Sequence, residues 1–151
     1  MFQLPFPVHD VNASSGSKDL GNLPEWDLSD LYSSQNAPEL SRDLQWLDQE
    51  CASFAADYEG KLANLDAAEM LACVLRNERI NTIAGRIMSF AGLRYYQLTI
   101  DGDRTKFMSD MQEKITNFTT PLVFFTLELN RIDDATLQAL LDANSALARY
   151  Q

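Results

Sequence analysis

PELSRDLQWLDQECASFAADYEG, residues 38–60, carries a regular helical pattern from which the fold class follows. Its apolar residues Leu40, Leu44, Leu47, Cys51, Phe54 and Tyr58 follow one another at steps of 4, 3, 4, 3 and 4. At about 3.6 residues per turn, that spacing lines one face of an α-helix. Pro38 suits the first turn, where a missing N–H costs nothing, and Gly60 suits the stop.

Toward the C-terminus, Asp66-Ala67-Ala68-Glu69 has the form of a capping box, so a second helix starts near residue 67 with Met70, Leu71, Val74 and Leu75 facing inward. The pattern is compatible with a break at Arg76–Arg79 and with a helix that runs on. Ile80, Ile83, Ala84, Ile87, Ala91, Tyr95 and Leu98 carry the stripe further. Gly85, Ser89 and Gly92 share one face of it. Glycine inside a helix costs about 1 kcal/mol against alanine, so this spacing predicts close approach of another backbone or, less simply, of a ligand. Asp101-Gly102-Asp103 is the next turn. Met108, Met111, Ile115, Phe118, Leu122, Phe125 and Leu129 form a further core seam, within which Pro121 kinks the helix or starts a new one. Asp133-Asp134 opens a final helix with Leu137, Leu140, Leu141 and Leu147 inward. The fold class is all-α, an antiparallel bundle of four to six helices.

Toward the N-terminus the character changes. Residues 1–22 include Asn12-Ala13-Ser14-Ser15-Gly16-Ser17 and read as a flexible tail. Residues 23–35 read as an extended strap with one helical turn, docked by Trp26, Leu28, Leu31 and Tyr32; the functional alternative is a peptide-binding edge. The helical domain proper then spans residues 36–151. A helix normally closes with Gly or Asn just past its last turn. The chain runs to Ala148-Arg149-Tyr150-Gln151 with no such stop, so the expectation is a domain cut from, or awaiting, something larger.

Composition narrows the function. The 151 residues carry a net charge of −10, which repels phosphate backbones and argues against nucleic-acid binding. No apolar run approaches the ~20 residues that span a bilayer, so no membrane partner is expected. Met1-Phe2-Gln3-Leu4-Pro5 lacks a basic region and a following apolar stretch, so it does not read as a signal peptide. Two cysteines without a spaced framework point to reduced thiols and a cytoplasmic location.

Candidate chemistry fails residue by residue. The only histidine, His9, lies in the polar tail and cannot by itself assemble a metal or hydrolytic centre. Asp101-Gly102-Asp103-Arg104-Thr105 opens like a calcium loop, but Lys106 stands where glycine is needed and Gln112 where the bidentate glutamate is needed. A turn with a helix cap is the better reading. Cys51 and Cys73 read as small buried apolar groups. Glu128 sits beside the apolar run Leu122-Val123-Phe124-Phe125, which could raise its pKa toward a general-acid role. A single carboxylate performs no evident chemistry, however, and the expectation is a pair with Arg131 or another cation. No catalytic, cofactor-binding or metal-binding residue is therefore assigned.

Leu23-Pro24-Glu25-Trp26-Asp27-Leu28-Ser29-Asp30-Leu31-Tyr32 resembles the opening signature of the oligoendopeptidase F family, zinc metallopeptidases of the thimet type. Phe54, Tyr58, Gly60, Lys61 and Leu62 resemble the end of that family's first long helix. Pro121-Leu122-Val123-Phe124-Phe125-Thr126-Leu127-Glu128-Leu129 resembles a segment beyond the middle of its N-terminal helical lobe. These matches span residues 23–150.

The resemblance implies a helical enzyme with an internal channel. Its zinc would sit on an H-E-x-x-H helix, whose glutamate activates the metal-bound water. This sequence has no H-E-x-x-H, so no catalytic residue carries over. The expectation is a non-catalytic N-terminal domain forming one wall of the channel, with zinc in the missing catalytic domain. Its partners would be that catalytic domain of the same chain and, in the full enzyme, an oligopeptide substrate. The alternative is a free-standing helical module that binds peptide or protein. A severed lobe should strand apolar side chains around Leu137–Tyr150 and at Trp26 and Tyr32, and should self-associate weakly when isolated.

Overall fold

The protein is described by a computed structural model, over residues 26–150. The chain is all-α there, with α1 (Pro38–Tyr58), α2 (Ala67–Gln97), α3 (Gly102–Thr119), α4 (Val123–Leu129) and α5 (Asp134–Ala143). Single 3-10 turns occupy Leu62–Asn64, Thr120–Leu122 and Ala148–Tyr150. The tail, including His9, lies outside the described residues.

Helix α1 forms as its spacing requires. Leu40, Leu47, Cys51 and Phe54 are buried, and Leu44 and Tyr58 pack against them half-buried. Pro38 stands at the first turn, and Gly60 adopts φ 77°, the left-handed conformation that residues with a Cβ resist. The Lys61 ammonium donates to the carbonyls of Ala56 (3.1 Å) and Asp57 (2.7 Å), placing a cation on the helix's negative end.

Helix α2 opens with the capping box. Asp66 accepts from the N–H groups of Ala68 (2.8 Å) and Glu69 (2.9 Å), and the Glu69 carboxylate accepts from the Asp66 N–H at 3.0 Å. The helix then runs 31 residues without interruption, about 46 Å at 1.5 Å per residue. The charges at 76–79 mark its flank against α1, and no break occurs there. Arg76 pairs with Glu50 and Asp57, both at 2.8 Å, and stands over the rings of Phe54 and Tyr58. Arg79 stacks on Trp46. Arg86 pairs with Asp43, so the contacts run backward along α1 and the two helices are antiparallel.

Two expectations for α2 are corrected. Leu75 and Leu98 are exposed. Cys73 takes the inward position in the first stretch, and two residues further on the helix has turned Leu75 to the opposite flank. No neighbouring backbone approaches the glycines: a Cβ at Gly85 or Gly92 would meet nothing within 4 Å. Gly85 is exposed and carries an avoidable helix penalty. Gly85→Ala should therefore stabilise the protein by about 0.5–1 kcal/mol, read as a higher urea midpoint with an unchanged slope.

After Leu98–Asp101 the chain returns as α3, capped by Asp101, which accepts from the N–H groups of Asp103 (2.9 Å) and Arg104 (3.1 Å). Pro121 ends this run, since a 3-10 turn separates α3 from α4. Of the seven residues in the predicted seam only Met111 is fully buried, the others packing half-buried along the bundle's edge. Beyond the 3-10 turn the register shifts, and Phe124 is buried more fully than the predicted Phe125.

Helix α5 does have a stop. It ends at Ala143, and Asn144 is extended at φ −142° and ψ 107°. The Asn144 side chain accepts from the Ala146 N–H at 3.0 Å and donates to the Ala67 carbonyl at 3.4 Å, tying the end of α5 to the start of α2. Leu147 is buried as expected, but from the turn beyond the helix.

Candidate interaction surfaces

Glu128 makes a long-range joint that its neighbours in sequence do not announce. Its carboxylate accepts from the Gly60 N–H at 2.6 Å and the Leu62 N–H at 3.3 Å, and no ion pair with Arg131 forms. The left-handed turn at Gly60 turns these N–H groups together, which offers an anion more than a single exposed arginine would. Around this joint the Phe54 ring meets Tyr58, Phe124 and Phe125 at centroid distances of 4.9, 6.0 and 5.8 Å.

The strap is held by a second joint. Tyr32, 1% exposed, donates its hydroxyl proton to Asp43 at 2.6 Å and accepts from the Arg86 Nε–H at 3.0 Å. Its ring packs edge-on against Phe90 at 5.4 Å, with the Arg86 guanidinium over its face at 4.8 Å. Leu28 and Leu31 rest half-buried on the same core. Tyr32 is thus an anchor, and the expectation that it would be stranded in solvent is corrected.

Cys51 and Cys73 are buried free thiols on α1 and α2. Burial pushes Cys51 up from 9.0 to about 11, helped by the charges of Glu50 and Asp48. Burial pushes Cys73 up to about 12, against the opposing pull of Arg76. The Tyr32 phenol likewise rises from 10.0 to about 12, through burial and then its bond to Asp43. All three groups keep protons in the folded state that the unfolded chain releases from about pH 9 upward. The folded form is thus favoured fully below pH 9 and loses that advantage as pH climbs toward 12. Urea midpoints measured from pH 8 to 11 should fall steadily, and a flat profile would contradict these burials.

Among the described residues, no group of three or more His, Cys, Asp or Glu side chains converges as a metal site would require. None of the helices described is long and apolar enough to cross a membrane. What the surface does offer is apolar. Between α2, α4 and α5 lies a cleft of about 380 Å³ whose walls include Met70, Val74, Leu129, Leu137, Leu140 and Leu141. Helix α5 buries none of its residues completely, so its leucines form a ridge with one side still open. At the far end of α2, Trp26 is 67% exposed, Tyr96 72% and Ile100 89%. The Trp26 carbonyl accepts from Gln97 at 3.0 Å, which brings these residues to one end of the bundle. Trp26 therefore does not dock as a strap anchor; its side chain is largely exposed.

No protein-family model matches the chain, and no curated protein or solved structure matches it.

Proposed function

We propose that this chain is the non-catalytic N-terminal helical domain of an oligoendopeptidase F-like zinc metallopeptidase, forming one wall of a channel that admits short peptides. The observation that carries this reading is the placement of the three segments that resemble the family. The first supplies the Tyr32 latch, and the second and third meet at the Phe54 cluster and the Glu128 carboxylate. Each is a joint of one helical unit, which is where a family's recurring residues are expected when they carry architecture instead of chemistry. The open cleft beside α5 and the apolar end at Trp26, Tyr96 and Ile100 support a covering partner, the catalytic part of the same polypeptide. Zinc and the water-activating glutamate belong to that part. Free, buried thiols are in keeping with a reducing, cytoplasmic setting.

The test is to express the whole natural reading frame that encodes these residues. The expected result is a downstream H-E-x-x-H helix, one zinc per chain and cleavage of short quenched-fluorescent peptides. A frame that closes after Gln151 and yields a stable monomer would replace this reading with that of a free-standing peptide- or protein-binding module.

A further inference from the structure

Independently of that reading, we propose that the pocket between the strap and the C-terminal half of α2 binds a monocarboxylate with an aromatic body, its charge seated on Arg94. The pocket measures about 400 Å³, and its walls include Trp26, Leu28, Tyr32, Phe90, Arg94 and Gln97. That volume suits a ligand the size of one aromatic amino acid.

Arg94 is the unusual member. Three arginines of the described chain are half-buried: Arg76, Arg94 and Arg104. Arg76 pairs with Glu50 and Asp57, and Arg104 pairs with Asp101 at 3.6 Å. Arg94 has no carboxylate within ion-pair distance among the described residues, and its Nε is closed off from water with no acceptor. That Nε is closed to a ligand as it is to water, so a carboxylate in the pocket would be met by the terminal Nη groups of Arg94, which pair with no carboxylate among the described residues. In a chain of net charge −10, a half-buried cation with no carboxylate partner among the described residues marks a place where an anion is favoured locally.

The rest of the pocket fixes the shape and limits the charge. Gln97 is itself held, donating to the Trp26 carbonyl and accepting from Arg104 at 3.2 Å. The Tyr32 latch and its edge-on contact with Phe90 set the floor. The exposed Trp26 indole offers an aromatic wall to a ring. Asp27 also lines the pocket, its carboxylate accepting from the Ser29 N–H at 2.9 Å. That negative pole disfavours doubly charged anions such as phosphate and leaves room for a single carboxylate facing Arg94.

The probe is N-acetyl-phenylalanine, with its neutral carboxamide and inorganic phosphate as comparisons. In a Trp46→Phe background the emission reports Trp26, and in the unmodified chain the Arg94 Nε–H NMR signal gives a second readout. Expected is a saturable change with the acid, with binding of the carboxamide and of phosphate weaker by about tenfold or more. Arg94→Gln should lose acid binding to the same extent at an unchanged melting temperature, with Arg94→Lys intermediate. Equal binding of acid and carboxamide, binding of phosphate as tight as the acid, acid binding that survives Arg94→Gln, or no saturable change in either readout would overturn the proposal.

Discussion

Replacing Phe54 by alanine should cost about 3–5 kcal/mol of stability, as expected for truncating a fully buried aromatic ring. Phe54 is 0% exposed and lies where α1, α2 and α4 meet. Its ring touches Tyr58, Phe124 and Phe125, and Arg76 stands over it at 5.6 Å. Removing it opens a void at the junction of three helices, a site poorly able to collapse because each wall belongs to a different element. Phe54→Leu keeps most of the apolar volume and should cost about 1–1.5 kcal/mol. Urea unfolding of both variants checks this. A loss below about 1 kcal/mol for the alanine variant would mean that the ring is not enclosed as described.

Tyr32 should show the next largest effect, and in separable parts. Tyr32→Ala removes a buried ring together with its hydroxyl and should cost about 3 kcal/mol or more. Tyr32→Phe keeps the edge contact with Phe90 but leaves Asp43 without the phenol, at about 1–2 kcal/mol. If the latch is a shared network, Tyr32→Phe and Asp43→Asn together should cost less than the sum of the two alone. Because the strap is held chiefly here, limited proteolysis should cut ahead of Pro38 faster in both Tyr32 variants. Cleavage at the wild-type rate would show that Leu28 and Leu31 hold the strap without the tyrosine.

What sequence reading recovers here is local. The α1 seam, the Pro38 start, the Gly60 stop and the Asp66–Glu69 capping box all depend on residues a few positions apart, and each stands where its spacing implies. What it misreads depends on distant partners. Sequence spacing pairs Glu128 with the cation one turn away, yet its carboxylate binds backbone N–H groups 66 and 68 residues earlier. Gly85 and Gly92 have helical spacing, but whether anything packs on them depends on how neighbouring helices cross. Asn144 does not stand out as a stop in the sequence, because its action includes the Ala67 carbonyl on another helix. The strap pocket was hidden for the same reason. Trp26 and Tyr32 stand out in sequence, but an arginine that lacks a carboxylate is visible only once every neighbour is in place.

The joint between Glu128 and the turn at Gly60 also bears on the order in which the molecule assembles. The pairings of α1 with α2 and of α2 with α3 join consecutive helices through short loops, and such contacts form early because little loop entropy opposes them. Seating α4 against α1 closes a loop of 68 residues onto a target that exists only after the first helix has ended and turned. The region from α4 onward should therefore close last and open first. Its amides should exchange with solvent deuterium ahead of those in α1 and the middle of α2, so that the leucine-lined cleft belongs to the least persistent part of the fold.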